Sequence, residues 1–365
     1  MRPSRVEINL SDFEENVRKA RSTIGDKEHL MAVVKADAYG HGAVAISIRA
    51  ISAGADWLGV GIVEEGIELR NAGITSPIQI LSQELEERVE EIVRFDLIPT
   101  VCSRGFLFAL QREGERQKKK IPIVVMVDTG MGRYGVLPEE FIYFLKTARG
   151  LDNIVVIGAM SHLPSADTDP EFTDEQLGLF NNLLNIAESI GIKLKYRSVA
   201  NSAAFLNHSE KLKNFNLHRL GLVLYGIPPI PGMKLPYRPV MRVKSKISFI
   251  KTIPPGHSVS YSRTFIAKRP TRVGVVPIGY ADGYDRHLSN RGYMVVHGKK
   301  TPIIGNVTMD ATMIDLTGVP EARVGDEVLI LGENISAWDI AGLIQTIPYE
   351  VVSRMGKRLP RIYLS

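Results

Sequence analysis

The sequence predicts an α/β fold followed by a β domain: an N-terminal (β/α)8 TIM barrel and then a mainly β C-terminal region. Three observations predict it. Eight short apolar runs, at 32–35, 57–60, 77–81, 97–101, 122–127, 155–161, 196–200 and 220–224, punctuate the first two-thirds of the 365 residues, with amphipathic stretches between most of them. Eight βα units in roughly 230 residues are what a (β/α)8 barrel requires, whereas a doubly wound sheet shares the period without the closure. Next, Ile227–Pro239 holds five prolines in thirteen residues, the composition of a stiff linker. Beyond it, the runs at 244–253, 272–278, 293–297, 301–305, 311–316 and 327–331 are short, β-rich and separated by turns.

The elements follow in order. Phe13, Val17, Ala20 and Ile24 share one helical face of 12–24, and Ser11 with Glu14 reads as a capping box. Segments 83–94 and 138–148 also read as helices, as does 336–347, with Ser336 as its N-cap. The expected organisation is a barrel over 1–227, a linker over 228–240 and a β-rich domain over 241–365, with about the first eight residues pairing with the C-terminal domain.

Composition narrows the function classes. The net charge of +5 is dispersed, and Gln117–Lys120 lacks aromatic interleaving, so no nucleic-acid partner is expected. No window has the length of a membrane span, and the N-terminus lacks the apolar stretch of a signal peptide. Cys102 is the only cysteine, which excludes an intrachain disulfide and a cysteine metal cluster. These features together point to a cytoplasmic protein without a bound metal.

The polar residues that interrupt the pattern gather at one rim. Lys35 ends the first run, in Ala32-Val-Val-Lys-Ala-Asp-Ala-Tyr-Gly-His-Gly42. A lysine delivered by a buried strand is desolvated, and its lowered pKa makes it nucleophilic, as a Schiff-base lysine must be. Asp128-Thr-Gly-Met-Gly-Arg133 follows the fifth run, His162 the sixth, Asn201-Ser202 the seventh and Tyr225 the eighth, while Arg219 precedes the eighth. Barrel enzymes build their sites at the C-terminal ends of their strands, with phosphate held by the loops after strands 7 and 8. Asn201-Ser202 supplies a hydroxyl and amides at a helix start, and Gly221-Leu222 adds backbone amides.

Four motifs carry a resemblance over essentially the full length: Ala32–Gly42, Val127–Gly135, His218–Gly226, and Pro277–Gly283 with Met309-Asp310. In these the chain resembles the bacterial alanine racemases, enzymes that use pyridoxal 5′-phosphate and combine a (β/α)8 barrel with a β domain. The resemblance implies that Lys35 holds the cofactor and acts as one acid/base residue. It implies that Tyr39, Asn201, Ser202, Gly221, Leu222 and Tyr225 surround the phosphate. His162 would lie against the ring, and Arg219 would hydrogen-bond the pyridine nitrogen. Arg133 would lie near the cofactor's phenolic oxygen and the substrate carboxylate. Tyr261, in Ser258-Val-Ser-Tyr-Ser262, would be the acid/base residue of the opposite face, supplied by the second subunit of a homodimer, with Met309, Asp310 and Tyr280.

That assignment makes chemical sense. Racemisation takes a proton from one face and returns one to the other, so it needs two acid/base groups on opposite sides of the cofactor. A guanidinium is a donor only, so Arg219 leaves the ring nitrogen unprotonated and moderates the electron sink. The implied role is the supply of D-alanine for peptidoglycan. A broader racemase acting on serine or lysine is one alternative, and a non-catalytic cofactor carrier a less favoured one. Arg219 speaks against a decarboxylase of the same fold. The chain departs from the family pattern at four supporting positions. Met126 stands where many members have a lysine, often carbamylated, Ser198 for a histidine, Thr308 for a cysteine and Lys357 for a tyrosine.

Overall fold

The computed structural model describes residues 2–365 and divides into two compact units: 14–38 with 43–237, and 2–13 with 39–42 and 238–365. The first unit is built on eight parallel strands: β1 (His29–Val33), β2 (Trp57–Val60), β3 (Ile78–Ile80), β4 (Ile98–Val101), β5 (Ile121–Met126), β6 (Ile154–Met160), β7 (Tyr196–Ser198) and β8 (Leu217–Leu220). From β1 to β7 each strand pairs with the next in chain order, and β8 pairs back onto β1, with His29 opposite Leu217 and Met31 opposite Arg219; β7 and β8 are the two ends of the sheet order. Between β7 and β8 the Asn216 amide donates to the Arg197 carbonyl (3.0 Å) and the Arg219 amide to that of Ala200 (3.1 Å).

The strands are apolar because most of their residues are covered on both sides. Met31, Trp57, Ile98, Val124, Met126, Met160 and Leu217 form one cluster of buried residues. In the second unit, a six-stranded sheet runs in the order Lys299–Pro302, Tyr293–Val296, Glu327–Leu331, Met241–Lys246, Arg5–Asn9, Arg361–Leu364. Arg5–Asn9 is antiparallel to Met241–Lys246 and parallel to Arg361–Leu364. A three-stranded sheet of Phe249–Ile253, Thr271–Val276 and Thr312–Asp315 stands beside it in the same unit.

Three local expectations change. The last barrel strand is Leu217–Leu220 and contains Arg219, whereas Leu222–Tyr225 of the expected run forms a 3-10 turn. The first helix begins at Leu10, and its cap is the Asn9 side chain, which accepts the Asp12 amide at 2.9 Å, instead of Ser11. Segment 83–94 is a short 3-10 turn, Glu86–Arg88, followed by Val89–Arg94.

Candidate active site

Lys35 opens a single turn, Lys35–Gly40, at the exit of β1. From Ala36 to Gly40 that turn is left-handed, with φ of +52, +54, +52, +54 and +79°. L-residues adopt this region at a cost of roughly 1–2 kcal/mol each, so four in succession before the glycine need outside support. Support within the barrel unit comes from the Ala38 amide on the Val34 carbonyl (2.8 Å) and the Asp37 carboxylate on the Ala43 amide (2.8 Å). The Glu65 carboxylate accepts the Ala36 amide at 2.5 Å.

Arg219 is the buried centre of the barrel mouth, 4% exposed. Its Nη1 donates to Ser198 Oγ at 2.5 Å, and the Ser198 hydroxyl in turn donates to the Leu217 carbonyl at 2.6 Å. Its Nη2 donates to the Ser161 carbonyl (2.8 Å), to His162 Nδ1 (3.2 Å) and to the Val199 carbonyl (3.3 Å). Because a guanidinium only donates, His162 Nδ1 must accept, and the neutral ring carries its proton on Nε2. Burial, then Arg219, Arg133 and Lys35, pushes the His162 pKa down to about 3. Burial and then Arg133 lower that of Arg219 to about 10, which leaves it protonated at neutral pH. The Lys35 ammonium is disfavoured by burial first, then by Arg133 and Arg219, while Glu65 opposes them. Among the described residues no ion pair joins a carboxylate to Arg219, Arg133 or Lys35, so the mouth has the electrostatics of an anion site.

The loop carrying Arg133 is pinned at its root. Asp128 accepts the amides of Gly130 (2.9 Å), Met131 (2.8 Å) and Gly132 (3.0 Å). Thr129 and Ser161 share a hydroxyl–hydroxyl bond at 2.8 Å, and Gln176 Nε2 donates to Thr129 Oγ1 at 3.2 Å and to the His162 carbonyl at 3.4 Å. Met126 is 1% exposed in the apolar cluster, so no charged group stands at that position. On the next loops, Asn201 caps Ser202–Asn207 through the Ala204 amide (2.9 Å) and donates to the Leu163 carbonyl (3.0 Å). Ser202 Oγ accepts the Gly221 amide at 3.1 Å and the Val223 amide at 3.4 Å. Leu222 begins the 3-10 turn, and Tyr225, at its end, donates its hydroxyl to the Val33 carbonyl at 2.9 Å, two residues before Lys35.

The structure thus brings Lys35, Arg133, His162, Asn201, Ser202, Arg219, Gly221, Leu222 and Tyr225 into one unit. Tyr39, Tyr261, Tyr280, Met309 and Asp310 fall in the other. There Tyr39 is buried with its ring 6.0 Å from that of Tyr349. Tyr261 sits in the 3-10 turn Tyr261–Arg263, flanked by positive φ at Ser260, Ser262 and Arg263. Asn306 fixes it, with Nδ2 donating to the Tyr261 carbonyl (2.8 Å) and its own carbonyl accepting Ser260 Oγ (2.7 Å). Yet the Tyr261 side chain is exposed, beside a cleft of about 510 Å³ lined by Lys251, Val259, Val273, Thr308 and Met313.

Tyr280 and Met309 ride on two loops stitched together. The Tyr280 and Ala281 amides donate to the Thr308 and Met309 carbonyls at 3.0 and 3.1 Å. A Cβ on Gly279 would meet those same carbonyls at 2.2 and 2.5 Å, so only glycine allows the approach. Arg358 binds Asp310 at 2.6 Å. Buried Asp282 takes both Nη atoms of Arg2 at 2.6 Å and the Gly279 amide at 3.1 Å. Glu65, Gln176 and Asn306 were not singled out in the sequence, and Asp282 stood only as one residue of the Pro277–Gly283 motif, because the Ala36 amide, Thr129, Tyr261 and Arg2 that they bind lie far away along the chain.

Comparison with known proteins identifies the family of the chain. Residues 8–229 match the model of the alanine racemase N-terminal domain and 240–363 that of the C-terminal domain. An alanine racemase of Halothermothrix orenii is 40% identical, covering 99% of this chain and 97% of that protein. The crystal structure of alanine racemase from Streptomyces lavendulae matches with a TM-score of 0.94 and 35% identity over 100% of this chain and 98% of that one. That from Bacillus anthracis, with bound L-Ala-P, gives a TM-score of 0.93 and 31% identity over 100% and 96%. With both domain models matched and relatives aligned end to end, the chain belongs to the alanine racemase family.

Proposed function

We propose that this chain interconverts L- and D-alanine with pyridoxal 5′-phosphate, using Lys35 and Tyr261 of the partner subunit on opposite faces of the cofactor. One observation carries the reading. Arg219 is a buried, donor-only guanidinium with no ion-paired carboxylate among the described residues, in the same charged mouth as Lys35 and beside a neutral His162. An aromatic anion with an accepting ring nitrogen fits that donor set, and the Ser202 hydroxyl with the Gly221 and Leu222 backbone fits its phosphate.

When bound, pyridoxal phosphate supplies the electron sink for charge left on the α-carbon. Lys35 holds the group and moves a proton at Nζ, which burial and the two arginines keep disposed to the neutral amine. Arg133 pairs with the substrate carboxylate, for which a guanidinium has the matching fork. Arg219 would donate to the ring nitrogen and leave it unprotonated. Asn201 and Tyr225 would close the phosphate end, and His162 would lie against the ring. Tyr261 exchanges the proton of the other face, with Tyr280, Met309 and Asp310 bounding the substrate. Exposure of Tyr261, Tyr280 and Met309 supports a homodimer with shared sites. D-Alanine made in the cytoplasm would serve peptidoglycan.

The test is the circular dichroism of L-alanine incubated with the protein and pyridoxal phosphate, with Lys35→Ala as control and L-serine and L-lysine in parallel. Loss of optical activity with alanine in the native protein only is the expected result. Equal rates on all three amino acids would indicate a broad racemase, and cofactor binding without turnover a carrier.

A further inference from the structure

We infer that Glu65 is the positioning residue of the reacting lysine, a clamp that fixes where Lys35 leaves β1 and supplies the carboxylate acting on its amine; the inference rests on the assignment of Lys35 above. Glu65 lies in the helix Val63–Asn71 that follows β2. One carboxylate oxygen accepts the Ala36 amide at 2.5 Å and the other accepts the Gly61 amide at 2.7 Å. Ala36 is the residue after Lys35, Gly61 is the residue after β2, and β1 and β2 are adjacent in the barrel. A single side chain therefore ties two neighbouring strand ends together at the point where the lysine departs.

The stem of Lys35 runs through the same place. A Cβ on Gly61 would lie 3.5 Å from Lys35 Cβ, 3.8 Å from its Cδ and 3.4 Å from Glu65 Oε2. Gly61, Glu65 and the lysine stem thus form one packed group. The Ala36 bond also holds the first residue of the left-handed turn, where the backbone would otherwise relax toward ordinary φ. Both oxygens of Glu65 are engaged by backbone amides, so its task is to hold the backbone beside the lysine. The groups acting on Lys35 are Arg133 after β5, Arg219 on β8 and Glu65, with His162 after β6 held neutral. Only Glu65 favours the ammonium form.

Three variants test this in the intact protein, with Glu64→Gln as a control on the neighbouring carboxylate. In protein freed of cofactor, the rate at which an amine-reactive acylating reagent modifies Lys35 is followed against pH by peptide mass. Glu65→Gln keeps an acceptor oxygen for only one of the two amides and loses the charge, so its labelling midpoint should fall below the parent's. Glu65→Asp keeps the charge but is too short to span both amides, so its midpoint should stay while kcat drops. Glu65→Ala should lower kcat about tenfold or more with KM for alanine within about twofold, as expected when a reacting group is misplaced. A Glu65→Gln midpoint equal to the parent's, or parental kcat in Glu65→Ala, overturns the inference. The labelling arm needs no turnover, so a protein that racemises nothing would refute the proposed function and still decide whether Glu65 governs the amine.

Discussion

The barrel mouth and the Tyr261 turn are both built on strained backbone, and they treat their side chains in opposite ways. At the mouth, a left-handed turn after Lys35 is held by Glu65 and Asp37, and Arg219 and Ser202 are each 4% exposed. At the turn, positive φ at three residues and two bonds from Asn306 fix the backbone just as firmly, yet Tyr261 is 70% exposed and Met309 52%. Rigid mounting with an uncovered apolar side chain is unusual for a finished site and ordinary for one half of it. Under the proposed function the first region is complete within one chain, and the second is prepared for another chain.

The largest expected effects test that division. Lys35→Ala should abolish racemisation, a loss of at least about 10⁴-fold, measured by loss of circular dichroism of L-alanine. Tyr261→Phe should cost about 10²–10⁴-fold in rate and leave cofactor absorbance unchanged. If Tyr261→Phe also lost the cofactor, the two regions would not be functionally separate. Mixing inactive Lys35→Ala with inactive Tyr261→Phe should restore part of the activity, because a mixed dimer holds one intact site.

Smaller effects sharpen it. Asp282→Ala leaves Arg2 and the Gly279 amide without their carboxylate and should lower stability by about 2–3 kcal/mol in urea unfolding. Ser198→Ala removes one acceptor from Arg219 and should slow turnover about five- to tenfold through a single lost charged hydrogen bond. The pH effect is smallest. His162 is held neutral with a pKa near 3 in the folded protein, against about 6.5 when unfolded. The unfolded chain therefore binds the extra proton, and stability is full above about pH 6.5 and falls as pH drops toward 3. His162→Asn should flatten the decline of cofactor-free protein between pH 7.5 and 5.5 by about 1 kcal/mol in denaturant titrations.

Much of the barrel was legible because strands covered on both faces need apolar runs, and six of the eight runs overlap their strands closely, while the first shares only Ala32 and Val33 with His29–Val33. The eighth misled because Leu222-Val-Leu-Tyr225 is as apolar as a strand and is a buried 3-10 turn; a four-residue run has no period to separate the two. Arg219 was placed one element too early for the same reason. Lys35, His162 and Asn201-Ser202 stood out as polar residues ending apolar runs. Glu65 and Gln176 did not, since a glutamate and a glutamine on amphipathic helices look like solvated positions. Their distant partners, the Ala36 amide and Thr129, become neighbours only in the folded barrel, and the bond from Gly61 to Glu65, four residues on, is too short-range to mark a site.

The left-handed turn also acts as a filter on sequence variation. Four consecutive positions, Ala36 to Tyr39, have φ values that β-branched residues all but forbid and that glycine, asparagine and aspartate tolerate. A saturation library over these positions should therefore return a narrow alphabet even at those whose side chains do no chemistry. A glycine at Ala36 would ease the fold while loosening the residue next to the reacting amine. Selection for stability and selection for turnover would then pull this short segment in different directions.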